Sequence, residues 1–268
     1  MNCFENAKRV VVKVGTSTLT HETGFVNIRR IEQFVKVLAD IKNSGRELIL
    51  VSSGAISVGM GKLGMSTRPS GTTAKQALAA IGQCELMYMY DKLFSEYNHN
   101  VAQVLLTRDV IESEERKQNC VNAFECLLKM HAIPVVNEND TVAVEEIEFG
   151  DNDTLSALVA VLCHADALVI LSDIDGLYDA DPRKDPDAKL IARVEEIDES
   201  IAEKAGGAGT SRGTGGMLTK IHAAQIACAD GVDMAIINGK NPENLYRLLE
   251  GEAIGTHFVA EPKAAARG

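Results

Sequence analysis

Positive charge is scarce in this chain. Its 268 residues carry 27 Lys and Arg against 38 Asp and Glu, a formal net charge of −11. No basic stripe interleaved with aromatics runs along it, which excludes an extended nucleic-acid surface. Any anion it binds must meet cations concentrated in one place. Apolar runs are short too: none approaches the roughly 20 residues that span a bilayer, so no membrane partner is expected. The stretch Met1–Ala7 is short and mixed, and neither a secretory nor a transit segment is expected. The six cysteines, Cys3, Cys84, Cys120, Cys126, Cys163 and Cys228, form no C-x-x-C pair. Most sit in apolar helical contexts and read as buried reduced thiols of a cytoplasmic protein. The six histidines form no H-E-x-x-H, so a metal site built from protein nitrogen or sulfur is not expected. No G-x-x-x-x-G-K-[ST] phosphate loop occurs either.

Two motif matches are refused. Gly59-Met60-Gly61-Lys62-Leu63-Gly64 fits G-x-G-x-x-G but stands too far from its strand and lacks the acidic residue that follows in dinucleotide sites. A turn after a short helix is the better reading. Gly209-Thr210-Ser211-Arg212-Gly213 fits the serine-hydrolase elbow, yet no buried strand precedes it, so Ser211 is not a nucleophile.

What is present is an alternation of elements. At 268 residues and 46% hydrophobic, the chain can build one large α/β domain or two close lobes. Strands are expected at 8–14, 47–51, 101–106, 133–136, 167–171, 232–237 and near 256–259. Helices are expected at about 27–43, from 55, at about 73–97, 114–130, from about 151 to 163, 217–230 and about 242–249. Ile28, Ile31, Phe34, Val35 and Leu38 mark the apolar stripe of the first helix. Residues 141–149 alternate as a hairpin with a wet face would. No internal repeat or long linker divides the chain. The order is that of a mostly parallel sheet covered by helices.

Two segments offer an anion site. In Gly213-Thr214-Gly215-Gly216-Met217-Leu218-Thr219-Lys220, glycines free to turn N–H groups toward a ligand run straight into a helix start. Thr219 adds a hydroxyl and Lys220 a full charge. The second segment is Lys8–Ser17, a run of valines interrupted by Lys13 and ending in a Gly-Thr-Ser turn. An ammonium among buried valines is costly unless it reaches a partner at the strand's end. Polar clusters at Asn137-Glu138-Asn139-Asp140 and Gly150-Asp151-Asn152-Asp153 follow at further strand-to-helix junctions. Carboxylates there suit an ammonium, and amides and helix-start N–H groups suit a carboxylate. Together the four segments describe a small zwitterion beside a phosphate. Half of the Asn and Asp residues are equally explained as turn formers.

Six segments in order resemble the glutamate 5-kinase family of the amino acid kinase superfamily: Val12–Ser17, Val51–Ile56, Asn137–Asp140, Gly150–Asp153, Leu171–Asp173 and Gly213–Lys220. The resemblance implies a three-layer αβα sandwich with a central, mostly parallel sheet. It implies a single kinase domain over 8–262, with an amino-acid-binding lobe over about 8–165 and a nucleotide-binding lobe over about 166–262. Many members continue into a C-terminal PUA domain, and none is expected here. The activity implied is ATP-dependent phosphorylation of the γ-carboxylate of L-glutamate with Mg²⁺, the first step toward proline. Lys13 and Lys220, from opposite lobes, resemble the catalytic lysines, and Asp153 resembles the aspartate that positions them. Ser53, Asp140 and Asn152 resemble the glutamate-binding residues. Lys13, Ser172, Asp173, Thr214, Gly215, Gly216, Met217, Leu218, Thr219 and Lys220 resemble the nucleotide-binding ones. No protein ligand for the metal is indicated. A homo-oligomer, dimer or tetramer, and feedback inhibition by proline are further implications. Acetylglutamate or carbamate kinase is the nearest alternative, and a non-catalytic sensor of amino acid and nucleotide is another.

Overall fold

The computed structural model describes residues 3–21, 23–142, 151–198, 201 and 216–261. The hairpin expected at 141–149 and the glycine-rich loop expected at 205–216 lie almost wholly outside them. The chain divides into two compact units, Val14–Asn152 and Met1–Lys13 together with Asp153–Gly268.

In the unit Val14–Asn152, strands β2 (Glu47–Ser52), β3 (Val101–Leu106) and β4 (Ile133–Glu138) run in the order β3-β4-β2. Both pairings are parallel, with Leu50 opposite Val135 and Gln103 opposite Val135 on the other side. Leu48–Val51 are fully buried, as strands covered on both faces require. Among the described residues six helices accompany them: α1 (Thr16–Leu19), α2 (Ile28–Asn43), α3 (Ala55–Lys62), α4 (Thr72–Ser95), α5 (Asp109–Glu112) and α6 (Glu114–Lys129). The Asn27 side chain caps α2 by accepting from the Arg30 N–H at 3.2 Å. Gly45 ends that region with φ +96°, a conformation glycine adopts without strain. Ile31, Phe34, Val35, Leu38 and Ile41 form the buried stripe of α2, but Ile28, expected in it, is exposed at the first turn. The Gly-Thr-Ser turn expected at 15–17 leads into the short helix α1.

Gly59 and Gly61 lie inside α3, not in a turn after it. A Cβ on Gly82 of α4 would press into the Ala55 carbonyl and come 2.6 Å from the Gly59 nitrogen. One on Gly61 would come 2.6 Å from the Gly24 carbonyl. These glycines let backbones touch, which accounts for the G-x-G-x-x-G pattern without any ligand. Gly82→Ala is expected to cost about 1–3 kcal/mol, the scale of an overpacked methyl. Urea unfolding of the variant would measure it, and an unchanged midpoint would show that α3 and α4 yield freely.

In the other unit, β1 (Arg9–Val14, counted to Lys13), β5 (Ala167–Ser172), β6 (Arg193–Val194), β7 (Asp233–Asn238) and β8 (Thr256–Phe258) take the order β1-β5-β7-β8-β6. β5 and β7 are parallel, and β7 and β8 form an antiparallel pair, Ala235 opposite His257. Helices α7 (Asn152–Leu162), α8 (Met217–Ala229) and α9 (Asn244–Leu249) complete it. The two-residue β6 is too short to leave a period in the sequence. Both units are thus α/β, with parallel pairing dominant. Among the described residues no helix is long and apolar enough to cross a membrane.

The cysteines are free, but only Cys163 and Cys228 are buried. Cys84 and Cys126 are exposed because they occupy the outer faces of α4 and α6, where apolar neighbours in sequence point elsewhere.

Candidate active site

In the unit built on β1, β5 and β7, three element ends converge on one carboxylate. Lys13 stands near the end of β1 between Val12 and Val14, and only 7% of it is exposed. Asp153 opens the first turn of α7 and is fully buried. Lys220 lies in the first turn of α8 and is likewise 7% exposed. Lys13 Nζ sits 2.7 Å from Asp153 Oδ1, and Lys220 Nζ donates to Oδ2 at 2.9 Å. Thr219 Oγ1 lies 2.8 Å from Oδ2 and 2.7 Å from the Gly216 carbonyl, with one proton to offer. Both lysines therefore belong to one compact unit and one carboxylate, a correction to their assignment to opposite lobes. Chain order could not reveal it, because β1 packs with the C-terminal half.

Burial by itself would raise the Asp153 carboxyl pKa. The ammonium groups of Lys13 and Lys220 outweigh it and hold the carboxyl well below the usual range. Asp153 is thus a permanent anion, further favoured by its place at a helix start. Against it stand two ammoniums, so the cluster carries one positive charge in excess. Helix α8 begins with Gly216 at its N-cap, with no capping side chain among the described residues, and a helix start of this kind suits an anion.

The unit Val14–Asn152 holds a second cluster. Asn152 Nδ2, with two protons to offer, lies 2.8 Å from the Ser52 carbonyl and 2.9 Å from each of Ser53 Oγ and Asn137 Oδ1. Asn137, at the end of β4, donates in turn to Gln83 Oε1 at 2.9 Å and accepts from the Glu138 N–H. Ser52 Oγ shares a buried 2.9 Å hydrogen bond with the Tyr90 hydroxyl. Gln83 and Tyr90 come from α4, and sequence reasoning missed both. They stand on a long helix with no local motif, and only its packing brings them here. Ser53 and Asn152, two of the residues expected to bind the amino acid, are thus hydrogen-bonded to each other. Asp140 is half-buried in the turn after β4.

Of the remaining residues expected at the site, Ser172 is buried at the end of β5, and the half-buried Asp173 pairs with Arg183 Nη2 at 2.9 Å. Met217 is buried and Leu218 exposed on α8. Thr214 and Gly215 lie outside the described residues.

The amino acid kinase family model matches residues 8–238. The chain is 56% identical to the glutamate 5-kinase of Clostridium perfringens (strain 13 / Type A), over 96% of this chain and 97% of that one. It is 54% identical to the glutamate 5-kinase of Carboxydothermus hydrogenoformans, over 97% of this chain and 70% of that one. Among solved structures it resembles the UMP kinase of Bacillus anthracis with a TM-score of 0.66 at 17% identity, covering 96% of this chain and 97% of that one. At that identity the likeness bears on fold alone, and the fold is the one expected. With the family match spanning most of its length, the chain belongs to the amino acid kinase family.

Proposed function

We propose that this chain transfers the γ-phosphoryl group of ATP to the γ-carboxylate of L-glutamate, giving L-glutamyl 5-phosphate and ADP at the first step of proline biosynthesis. The observation that carries this is the buried Lys13–Asp153–Lys220 cluster, a concentrated excess of positive charge in a chain of net charge −11. The names of its relatives supply the acceptor.

A γ-carboxylate has a reference pKa of about 4.3 and is already the nucleophile at neutral pH. No general base is needed, and Asp153, held anionic between two ammoniums, is a positioning residue for them. One carboxylate oxygen of the substrate attacks the γ-phosphorus, the bond to the bridging oxygen breaks, and ADP leaves with that electron pair. Lys13 and Lys220 act on the phosphoryl oxygens, where charge must be neutralised as transfer proceeds. Ser53, Asn152 and Asp140 hold the amino acid. Ser172, Asp173 and the segment 214–220 hold the nucleotide. Mg²⁺ would add charge neutralisation at the phosphates. Asp153 is not placed to be a ligand for it, since both its oxygens face ammonium groups, and phosphate and water would hold the metal. A cytoplasmic location, a homo-oligomer and proline as feedback inhibitor extend the proposal and rest on resemblance.

The test is incubation with ATP, Mg²⁺, L-glutamate and hydroxylamine. γ-Glutamyl hydroxamate and ADP are expected, with N-acetyl-L-glutamate inert because Asp140 then has no ammonium to pair. Folded protein yielding neither product would sink the proposal, and equal rates on both acids would favour an acetylglutamate kinase.

Asp140→Asn separates binding from turn formation. Loss of its charge is expected to cost about 2–4 kcal/mol in glutamate recognition, or roughly 30- to 1,000-fold in kcat/KM. KM for ATP should move less than about threefold if the sites are independent. Equal losses for both substrates with a lower Tm would assign Asp140 to the turn alone.

A further inference from the structure

Apart from the lysine cluster, Cys3, Asp233 and His257 come together. Asp233 opens β7, His257 lies opposite Ala235 on β8, and Cys3 belongs to the stretch before β1. His257 Nε2 is 2.7 Å from Asp233 Oδ1 and 3.4 Å from Cys3 Sγ. All three donor atoms lie within 4.8 Å of one another. Packing, not chance, sets the position of Cys3. Phe4 beside it is fully buried, its ring edge-on to His257 with centroids 4.8 Å apart.

A nucleophilic triad is excluded by the same geometry. In a triad the histidine faces the thiol with one ring nitrogen and the carboxylate with the other. Here one nitrogen, Nε2, faces both. Burial, then the Asp233 charge and hydrogen bond, push the Cys3 thiol up to about 12, the reverse of an activated nucleophile. Soft sulfur, imidazole nitrogen and carboxylate oxygen turned toward one point are instead the donor set of a borderline divalent cation.

We propose that Cys3, Asp233 and His257 form a three-ligand site for a divalent cation of the zinc class, with water completing a tetrahedral shell. Zinc with ordinary bond lengths needs sulfur and nitrogen about 3.6 Å apart and nitrogen and oxygen about 3.4 Å apart. The first spacing is present, and the second must open by about 0.7 Å. That opening falls to the side chains of His257 and Asp233, which are 17% and 19% exposed, with Asp233 Oδ1 also accepting from the Ala260 N–H at 3.2 Å. Two groups must yield. The Cys3 proton leaves, driven by the cation. Arg193 Nη1, 3.4 Å from His257 Nδ1, turns away, because Nδ1 then carries the proton. Arg193 is exposed and already paired with Glu195 at 3.1 Å, so little is lost. The ion would tie the stretch before β1 to the β7–β8 pair, a clasp apart from the phosphoryl-transfer residues.

Calorimetric titration of the reduced, metal-stripped full chain with Zn²⁺ tests this. One ion per chain is expected. Cys3→Ser and His257→Gln should each weaken it by about 100-fold or more, since each removes one of three protein ligands. Cys84→Ser and Cys126→Ser, which delete exposed thiols elsewhere, should leave it intact. Co²⁺ should give a thiolate charge-transfer band that Cys3→Ser abolishes. Circular dichroism and Mg²⁺-dependent turnover of Cys3→Ser should match the parent, so loss of the ion is not loss of fold. Should His257→Gln misfold, Cys3→Ser decides, because Cys3 lies outside every helix and strand. Absence of a stoichiometric site, or its survival in Cys3→Ser, would overturn the proposal.

Discussion

Lys220→Ala is expected to lower kcat by about 10²- to 10⁴-fold, the scale on which positioned charges stabilise a transferring phosphoryl group. Lys220 is held by Asp153 Oδ2 at 2.9 Å on the first turn of α8, where helix-start N–H groups add to its charge. An ammonium fixed in advance needs no reorganisation as charge builds, so its loss should fall on kcat and not on KM for ATP. Lys220→Met separates charge from packing, because the thioether fills similar volume. It should resemble the alanine variant in kcat and exceed it in Tm. Near-normal kcat with a raised KM for ATP would instead assign Lys220 to ground-state binding.

Asp153→Asn should be the most destabilising single change at the site, by about 3–5 kcal/mol, because it leaves two buried ammoniums facing each other without an anion. Its pH dependence follows from the direction of the Asp153 shift. The folded carboxyl is held below its unfolded value, so the unfolded state takes up its proton first as pH falls. The stabilisation is complete above about pH 4, the ordinary carboxyl range, and is lost below it as pH falls toward the folded value. The gap in unfolding free energy between parent and variant should therefore be flat from neutral pH to about 4 and shrink below that. Urea unfolding at several pH values measures it. Activity should fall too, since neither lysine keeps its position. A variant as stable as the parent at pH 7 would mean that the lysines find other partners.

The order of elements, the family and the singling out of Lys13 and Lys220 were all legible in the sequence, for a local reason. A lysine inside Val10–Val14 or at the end of a glycine run conflicts with its surroundings, and such conflicts mark sites wherever they occur. The strand 101–106 and helix 114–129 were readable because period and capping are properties of neighbouring residues. What neighbours cannot encode is which distant group resolves a conflict. That Lys13, Asp153 and Lys220 fall in one compact unit depended on β1 joining the β5–β7 sheet. That Gln83 and Tyr90 support the Asn152 cluster depended on how α4 packs. Gly59 and Gly61 carried a ligand-like pattern whose cause is backbone contact with α4 and Gly24. Cys3, Asp233 and His257 formed no spacing motif, because a strand pairing and a buried Phe4, not a turn of chain, bring their donor atoms together. Residue type and period are short-range quantities. Pairing of charges and convergence of ligands are set by packing between segments far apart in the chain, and only the folded structure decides them.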